Sequence, residues 1–447
     1  MTPLVSVIIP VWRDEAALTK TLHRLHPSEH VEIVVACVLG EESRYVSVRE
    51  KHPGIRWVAA PRGRAAQMNA GAAICRGRWL LFLHADSELP ADWFEVIAHA
   101  DIGAYVAGAF ALGLDSRDWQ ARVLEFGVRL RVALLGLPYG DQALFVRRST
   151  FAGLNGYRDL PLMEDIDFMR RVRQTGRLLI ARSVVITSAR RWERDGWFRR
   201  SAHNVGLAVQ FMMGASPSQL AQRYYGRKAG AVVMMARAPW TGGKTRLGVG
   251  TDEAGHATLR HALFLDTLDS VSSVANVEHI IACEPADACE RMRELVGPAI
   301  DVIAQRGDEL GRRMAHVFED SFRLGIEAVV VVGSDLPDLP PRLLREALDA
   351  LRGHEARVVL GPASDGGYYL IALNRPQPAL FDRIEWGTDR VLTQTREAAK
   401  ALGLDVVLLD EWSDVDDAAD LKQLIRCSSG STAARTRAWS VEHLLQR

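Results

Sequence analysis

Short, nearly uninterrupted runs of apolar and β-branched residues restrict the possible fold of this chain most strongly. Residues 5–11 (VSVIIPV), 31–38 (VEIVVACV) and 78–85 (RWLLFLHA) have this pattern, which is typical of strands buried on both faces of a parallel sheet. The stretches between them, 15–25 and 65–76, place apolar residues three and four positions apart, as amphipathic helices do. This alternation of strands and helices predicts an α/β layer fold with a mainly parallel central sheet.

The same order of elements begins again near residue 229. An apolar strand at 229–239 follows the polar, tyrosine-rich stretch 216–228 and leads into further strands and a proline-led helix. A chain of 447 residues is also too long for one ordinary hydrophobic core. We therefore predict two tandem domains of similar fold at 1–226 and 227–427. Residues 428–447 are expected to form a flexible tail with a short terminal helix.

Two aspartates occupy equivalent places in this repeated plan. Asp86 and Asp335 each follow an apolar strand and precede a proline-containing turn and a helix. Ligands of open parallel sheets bind outside the carboxyl ends of the strands, and a carboxylate there, with Glu88 close to Asp86, can hold Mg²⁺ or Mn²⁺. The alternative is that Asp86 caps the helix expected to start near Pro90.

Composition and charge exclude several classes of protein. Lys plus Arg and Asp plus Glu number 55 each, so no net field attracts nucleic acid. The five cysteines form no CxxC pair and leave one unpaired in any disulfide scheme, which favours a reducing, cytoplasmic location. The N-terminal apolar run has no basic region before it and is too short for a signal sequence. We expect a protein that is not integral to a membrane, because no apolar stretch approaches the roughly 20 residues needed to span one.

Six motifs in the first half point to a known family. They are SVIIPVWRDE (6–15), GRAAQMNAGA (63–72), FLHADSELP (82–90), GDQALFVRR (140–148), MEDIDFMRRVR (163–173) and SARRWE (188–193). In this order they resemble the family 2 inverting glycosyltransferases, of the radical-SAM/selenodomain-associated transferase 2 type, over about residues 4–225. The resemblance implies a GT-A fold of the nucleotide-diphospho-sugar transferases, a nucleotide-sugar donor and a divalent metal, Mg²⁺ or Mn²⁺.

The resemblance also assigns roles to single residues. It places the metal at Asp86, with Glu88 beside it, and the donor against Pro10, Arg64, Asn69, Arg191 and Trp192. An acceptor hydroxyl must lose a proton as it attacks the anomeric carbon, so a carboxylate base is required. We assign that base to Asp165, with Glu164 as a neighbour that raises its pKa or contacts the donor, and Asp141 in the acceptor loop. The competing interpretations are an acidic helix start at 163–173 and a core position for Trp192.

Two departures from the family pattern refine the expectation. Ala36 and Cys37 stand where relatives carry aspartates for the nucleobase and ribose, and the Gln-x-x-Arg-Trp motif of processive members lacks its glutamine, since Ser188 occupies that place. We therefore predict transfer of a single sugar. The basic, amphipathic segment 119–137 is expected to pack on the sheet; peripheral contact with a membrane, next to a lipid-like acceptor, is the second interpretation.

The second half carries a different set of motifs. Gly242, Gly243, Lys244 and Arg246 follow its first strand and predict a phosphate-binding loop, or else a glycine-rich turn with solvated cations. GSDLPDLP (333–340), GPASDGGYYLIAL (361–373), EWGTDRVLTQT (385–395) and SDVDDAADL (413–421) complete the set. Over about residues 229–426 these motifs resemble the radical-SAM/selenodomain-associated transferase 1 family, which is related to nucleotidyltransferases such as the phospholactate guanylyltransferases.

That second resemblance implies another metal site and another substrate site. The implied metal ligands are Asp335, Asp414 and Asp416, and the implied substrate contacts are Arg237, Lys244, Arg246, Asp365, Gly366 and Gly367. An exposed acidic helix start is the competing interpretation of residues 416 and 417. The chain is thus expected to be a bifunctional, metal-dependent hexosyltransferase-type enzyme. Its C-terminal domain either transfers a sugar or acts as a nucleotidyltransferase that releases pyrophosphate from a nucleoside triphosphate; alternatively, one of the two domains binds nucleotide without catalysis.

Overall fold

The computed structural model describes residues 2–226, 228–242, 253–354, 356–427 and 432–444. The chain folds into two compact units, Met1–Ala221 and Gln222–Arg447. Each unit has its own sheet and its own hydrophobic core.

The described residues of the first unit form one sheet of eight strands. The strands are β1 (Val5–Pro10), β2 (Val31–Val38), β3 (Arg56–Ala60), β4 (Trp79–Phe82), β5 (Ser87–Glu88), β6 (Tyr105–Leu114), β7 (Phe145–Arg147) and β8 (Arg177–Thr187). Their order across the sheet is β3-β2-β1-β4-β7-β6-β8-β5. Strands β1 to β4 are parallel, β7 is antiparallel to both β4 and β6, and β6 is parallel to β8.

Helices cover both faces of this sheet. The helices up to residue 225 are α1 (Glu15–Leu22), α2 (Val46–Lys51), α3 (Arg64–Ile74), α4 (Trp93–Ile102), α5 (Trp119–Leu135), α6 (Arg148–Gly153), α7 (Glu164–Val172), α8 (Arg190–Asp195), α9 (Trp197–Met212) and α10 (Pro217–Tyr225). Successive residues of β1 show why two layers are needed, because Val7 and Ile9 belong to one apolar cluster whereas Ile8 belongs to another. Alternation along a strand sends side chains to opposite faces, and both faces of β1 are apolar.

In the described part of the second unit, seven strands form the sheet. They are β9 (Gly230–Arg237), β10 (Glu278–Glu284), β11 (Asp301–Ala304), β12 (Ala328–Val332), β13 (Arg357–Pro362), β14 (Tyr368–Leu373) and β15 (Asp405–Leu408). The helices are α11 (Glu253–Ser272), α12 (Cys289–Val296), α13 (Leu310–Arg323), α14 (Pro341–Leu351), α15 (Val391–Ala401), α16 (Ala418–Cys427) and α17 (Ala434–Leu444).

The two sheets share one topology. The second has the order β11-β10-β9-β12-β14-β13-β15, with β14 antiparallel to its neighbours as β7 is in the first sheet. Asp86 follows β4 and Asp335 follows β12, and each of these strands lies parallel beside the first strand of its own unit. The predicted α/β class with two mainly parallel sheets is confirmed.

Two local features bear on the alternatives left open by the sequence. Helix α4 begins at Trp93 with Asp92 at its N-cap position, so Asp86 does not cap that helix. Helix α5 buries Ala121 and Val132, and its opposite side faces solvent. Contact with β6 therefore uses only one side of α5.

Candidate active sites

A hydrogen bond joins the loop after α5 to the start of α7. The backbone N–H of Gly140 donates to Oδ2 of Asp165 at 2.7 Å, and the N–H of Ile166 donates to Oδ1 of the same carboxylate at 2.8 Å. Helix α7 begins one residue before Asp165, and Met163 enters it with the left-handed φ of 68°. Both oxygens of Asp165 are thus oriented by the backbone, which fixes the direction in which this carboxylate can accept a proton.

His84 and Asp165 both lie close to Gly140. A Cβ added at Gly140 would lie 3.2 Å from Asp165 Oδ2 and 3.4 Å from Nε2 of His84. Burial, together with the positive charges of Arg64 and Arg191, holds the pKa of His84 well below its ordinary value, so the imidazole is neutral. The sequence analysis did not single out His84. Its place two residues before Asp86, as His-x-Asp at the end of a buried strand, was the signal that could have identified it.

Two further carboxyl groups lie beside Asp165. Burial raises the pKa of Glu164 to about 7, the charge of Asp165 raises it as well, and Arg64 opposes the shift. Burial also raises the pKa of Asp141, against the lowering effect of Arg131. The Oδ1 atom of Asp141 is buried and has no hydrogen-bond partner within the described parts of the chain. We call His84, Gly140, Asp141, Glu164 and Asp165 the Asp165 cluster; a carboxyl group that titrates near neutral pH is suited to proton transfer.

Gln142 ties the loop that contains Gly140 and Asp141 to the sheet. Its Nε2 donates to the carbonyl of Phe110 at 2.9 Å, and its Oε1 accepts from the N–H of Tyr139 and from Arg131. The guanidinium of Arg131 also lies over the ring of Tyr139, with Cζ 3.4 Å from its centroid. These contacts hold the loop that presents Gly140 and Asp141.

Asp86 lies beside an arginine and remains partly open to solvent. Its Oδ2 is 3.8 Å from Nη2 of Arg190, which makes a closer contact, 3.0 Å, with Oδ2 of Asp14. About a third of the Asp86 side chain is exposed, at 32%. Glu88, by contrast, pairs directly with Arg24. Asp86 is therefore accessible to a ligand, whereas Glu88 would have to leave an ion pair first.

The predicted donor residues fall into different environments. Asn69 uses its side-chain oxygen and nitrogen on the backbone of Tyr157, at 3.0 and 2.8 Å, so it holds that segment in place. Trp192 packs against the small apolar cluster that includes Leu114 and Ala121, as the core interpretation anticipated. Arg64 is the first residue of α3, and its charge acts on His84 and Glu164.

The end of β1 carries Pro10, which was expected at the donor, and lies beside Gln67 and Trp12, which were not among the predicted site residues. Pro10 lies in register with Ala36 of β2, and the buried side chain of Gln67 donates to the carbonyls of Val11 and Ala36, both at 2.8 Å. Trp12 is half-exposed, and the guanidinium of Arg62 stacks on it with Cζ 3.8 Å from the ring centroid. This aromatic surface stands at the carboxyl ends of the strands, where a planar ligand group can stack.

In the second unit, a loop after β15 crosses the carboxyl ends of the strands. The N–H of Val415 donates to the carbonyl of Asp335 at 2.9 Å, which brings Asp414 and Asp416 to the segment that carries Asp335. The indole of Trp412 donates to Asp338 at 3.3 Å. The structure thus brings together the chain segments that carry the three aspartates named by the second resemblance.

The loop before β14 needs its glycines. Gly366 has a φ of +85°, and a Cβ there would lie 2.2 Å from the carbonyl oxygen of Asp389. Asp365 accepts the N–H of Gly367 at 2.9 Å, which closes the turn. Arg237 is exposed at the end of β9. Lys244 and Arg246 lie outside the described residues.

Asp417 and Asp416 have different environments. Oδ1 of Asp417 accepts the N–H groups of Ala419 and Asp420 at 2.7 and 3.0 Å, so it caps helix α16. These backbone hydrogen bonds lower the pKa of Asp417. The acidic helix start therefore accounts for Asp417, and Asp416 is the exposed neighbour next to Asp335 and Asp414. Within the parts of the chain that the structure describes, no three His, Cys, Asp or Glu side chains are arranged to hold a metal by themselves.

Comparison with known proteins matches a different family in each of the two units. The sequence profile of glycosyl transferase family 2 matches residues 6–149, and that of a family described as uncharacterized proteins conserved in bacteria (DUF2064) matches residues 267–388. A crystal structure from Desulfovibrio desulfuricans G20, assigned as a nucleotide-diphospho-sugar transferase, is 33% identical, with a TM-score of 0.45, over 48% of this chain and 95% of that one. This chain belongs to the nucleotide-diphospho-sugar transferases, with a family 2 glycosyl transferase domain followed by a DUF2064 domain.

More distant relatives of this transferase are also known. Phosphoenolpyruvate guanylyltransferase of Mycolicibacterium smegmatis is 27% identical over 210 residues, 46% of this chain and 89% of the relative. The mannosyltransferase PcManGT from Pyrobaculum calidifontis, solved with GDP-Man and Mn²⁺, is 19% identical over 50% of this chain and 70% of that one, with a TM-score of 0.37. The protein is a transferase-type enzyme with glycosyltransferase-like and nucleotidyltransferase-like domains. Among the described helices, none is long and apolar enough to cross a membrane.

Proposed function

We propose that the first unit transfers a single sugar, with inversion, from a nucleotide-diphosphate sugar to an acceptor hydroxyl. The observation that supports this best is the Asp165 cluster, in which a carboxylate oriented by two backbone N–H groups lies beside a carboxyl group with a pKa near 7. The matching family profile over residues 6–149 supports the same chemistry.

The proposed reaction uses the residues of this cluster in distinct roles. The acceptor hydroxyl attacks the anomeric carbon as its proton passes to Asp165, and the bond from that carbon to the diphosphate oxygen breaks. Glu164, once ionised, increases the proton affinity of Asp165 by like-charge repulsion. Arg64 and Arg191 are the cations that we assign to the departing diphosphate.

The same proposal includes a divalent metal, Mg²⁺ or Mn²⁺, at Asp86. The residues fit such an ion, because the Asp86 carboxylate is partly exposed and its distance to Arg190 is 3.8 Å. Magnesium commonly binds through one or two carboxylates together with substrate phosphates, so a set of three protein ligands is not needed. When bound, the metal would neutralise charge on the leaving diphosphate.

We place the enzyme in the cytoplasm, at the inner face of the membrane, with a small or lipid-like alcohol as acceptor. Among the described residues, Cys37, Cys75, Cys283 and Cys289 are buried and form no disulfide, which agrees with a reducing compartment. The exposed apolar side of the segment 119–137 supports peripheral contact with a membrane.

For the second unit we propose nucleotidyl transfer, with release of pyrophosphate from a nucleoside triphosphate. The similarity of the chain to a guanylyltransferase favours this over a second sugar transfer. Asp335, Asp414 and Asp416 are the carboxylates that we assign to one or two Mg²⁺ ions on the triphosphate. Gly366 and Gly367 would let the backbone approach the substrate closely.

The test uses the full-length chain with Mn²⁺ or Mg²⁺. Release of nucleoside diphosphate from UDP- and GDP-sugars, and of pyrophosphate from nucleoside triphosphates, is measured for the wild type and for Asp86→Ala and Asp335→Ala. We expect Asp86→Ala to remove only the first activity and Asp335→Ala only the second. If one activity is absent while nucleotide still binds, that unit is a binding module; absence of both refutes the proposal.

A further inference from the structure

Helix α5 exposes an apolar stripe to solvent. Trp119, Val123, Phe126, Leu130 and Leu134 are all among the exposed large apolar residues, and they are spaced three or four positions apart. That spacing places them along one side of the helix. Phe126 is 66% exposed and Leu134 is 73% exposed, so this side has no cover within the described chain.

Helix α9 carries a second stripe of the same kind. Phe198, Val205, Val209 and Met212 are exposed and lie seven, four and three positions apart, which also places them on one side of the helix, with Phe198 at 59% exposure. The two stripes meet at one end, where the rings of Trp119 and Phe198 have centroids 5.8 Å apart. We call these nine residues of α5 and α9 together the α5–α9 face.

The exposed charges on these two helices have one sign. Arg122, Arg129 and Arg199 are exposed. Glu125, the acidic residue that α5 and α9 contain, is buried, accepts the N–H of Leu114 at 2.8 Å and pairs with Arg122 at 3.0 Å. Aromatic and aliphatic side chains bordered by arginines are the composition of helices that lie in the interface of an anionic bilayer. A protein partner that fits this face would need acidic groups around an apolar centre; an anionic lipid surface offers both without a specific sequence.

Chain connectivity links this face to the proposed active site. Helix α5 ends at Leu135, five residues before Gly140, and α8, which begins at Arg190 beside Asp86, leads directly into α9. Both helices of the face therefore connect directly to segments that carry the Asp165 cluster or the arginine beside Asp86.

We propose that the α5–α9 face binds the surface of an anionic lipid bilayer, with the apolar residues in the interface and the arginines at the headgroups. This proposal deepens the proposed function and rests on it in one respect. If the first unit transfers sugar, an acceptor hydroxyl carried by a membrane lipid would be presented to it. Binding itself requires neither donor nor acceptor.

The experiment measures flotation of the full-length protein with vesicles, without nucleotide. The vesicles are phosphatidylcholine alone or phosphatidylcholine with about one third phosphatidylglycerol, because a cationic face distinguishes these two surfaces. We expect binding to the anionic vesicles that weakens as salt is added. Arg129→Gln and Arg199→Gln should each weaken it about fivefold, the effect of one cation at such a surface.

The apolar contribution has a matched control. The double substitution Phe126→Gln with Phe198→Gln should reduce binding by about tenfold or more, since it removes two aromatic rings from the interface. Ile102→Gln changes a residue of α4 that is 90% exposed and lies outside the face, and it should leave binding unchanged.

Several outcomes would overturn the proposal. Binding that is equal on neutral and anionic vesicles refutes the preference for an anionic surface. Binding that Ile102→Gln reduces as much as the double substitution excludes the α5–α9 face as the lipid contact. A wild-type dimer that the double substitution converts to monomer, with no vesicle binding, shows instead that the face pairs two copies of the chain. Loss of sugar transfer with normal vesicle binding refutes the proposed function and leaves this inference standing.

Discussion

The backbone N–H of Gly140 donates a 2.7 Å hydrogen bond to Oδ2 of Asp165, across 25 residues of sequence. The bond connects the GDQ motif, which follows α5, with the ED motif at the start of α7. A side chain at position 140 would crowd both Asp165 and His84. The glycine therefore matters for the close approach of these groups, and the orientation of the proposed base depends on a loop outside its own helix.

Asp165→Asn should abolish transfer and spare donor binding. Removal of a positioned general base typically lowers a rate by about 10²–10⁴-fold, and the amide oxygen of asparagine can still accept the Gly140 N–H. Turnover of a nucleotide sugar with acceptor, and binding of the donor by calorimetry, are measured on the full chain. Asp167→Asn is the matched control on the same helix, because Asp167 pairs with Arg158 and Arg171 and takes no part in the Asp165 cluster. Normal transfer by Asp165→Asn would show that another group is the base.

Glu164 should give the transfer rate an ascending limb with a midpoint near pH 7. Burial and Asp165 raise its pKa to about 7, so the second charge of the pair appears only above neutral pH. That charge increases the basicity of Asp165, and kcat should rise with it. Glu164→Gln should remove the limb and leave a lower, nearly constant rate. An unchanged pH profile in this variant would exclude Glu164 from the titration.

The same group should make folding stability depend on pH in a defined direction. Because the pKa of Glu164 lies at about 7 in the folded chain against an ordinary 4.5, the folded state holds a proton that the unfolded chain has released between these values. The contribution of Glu164 to the free energy of unfolding is therefore greatest below pH 4.5, and it falls as the pH rises towards 7. Urea unfolding across that window should show a smaller pH dependence in Glu164→Gln than in the wild type.

The fold was largely predictable from the sequence because strand periodicity is a local property. The run at 31–38 is strand β2 with those same bounds, since a strand buried on both faces needs a continuous apolar run. Sheet order is not local, yet the recurrence of Asp86 and Asp335 at the ends of β4 and β12 indicated the repeated topology. The helix expected near Pro90 begins at Trp93, because the turn before it is set by β5 pairing with β8.

The composition of the site was only partly predictable. Asp165 and Glu164 stand in a recognisable motif, whereas His84 and Asp165 come from distant segments and both lie close to Gly140, which no local pattern records. Asn69 was expected at the donor, but its amide is directed to the backbone of Tyr157, 88 residues away. Contacts between distant segments decide which polar side chains remain available, and a motif does not contain that information.

Turnover of the first unit should depend on Mn²⁺ or Mg²⁺ through Asp86. Chelation should stop release of nucleoside diphosphate, and readdition of metal should restore it. Asp86→Asn should raise the metal concentration for half-maximal turnover by at least about tenfold. Changes to groups outside the ligand shell already weaken metal binding by about that factor. Asp92→Asn, at the N-cap of α4, is the control, because it removes the same charge nearby and leaves Asp86 unchanged. Equal metal dependence of both variants would place the ion elsewhere.

The C-terminal helix should depend on one buried carboxylate. Asp266 of α11 accepts hydrogen bonds from the N–H and hydroxyl of Thr436 at 2.7 and 2.8 Å, and from Arg435, so it caps α17 from another helix. Asp266→Ala leaves those donors unsatisfied and should cost about 1–3 kcal/mol of unfolding free energy. Asp269→Ala removes only the exposed partner of Arg435 and should cost less than about 1 kcal/mol. Urea unfolding measures both effects, and iodide quenching of tryptophan fluorescence should increase as Trp439, a buried residue of α17, becomes exposed; equal losses would show that Asp266 does not hold this helix.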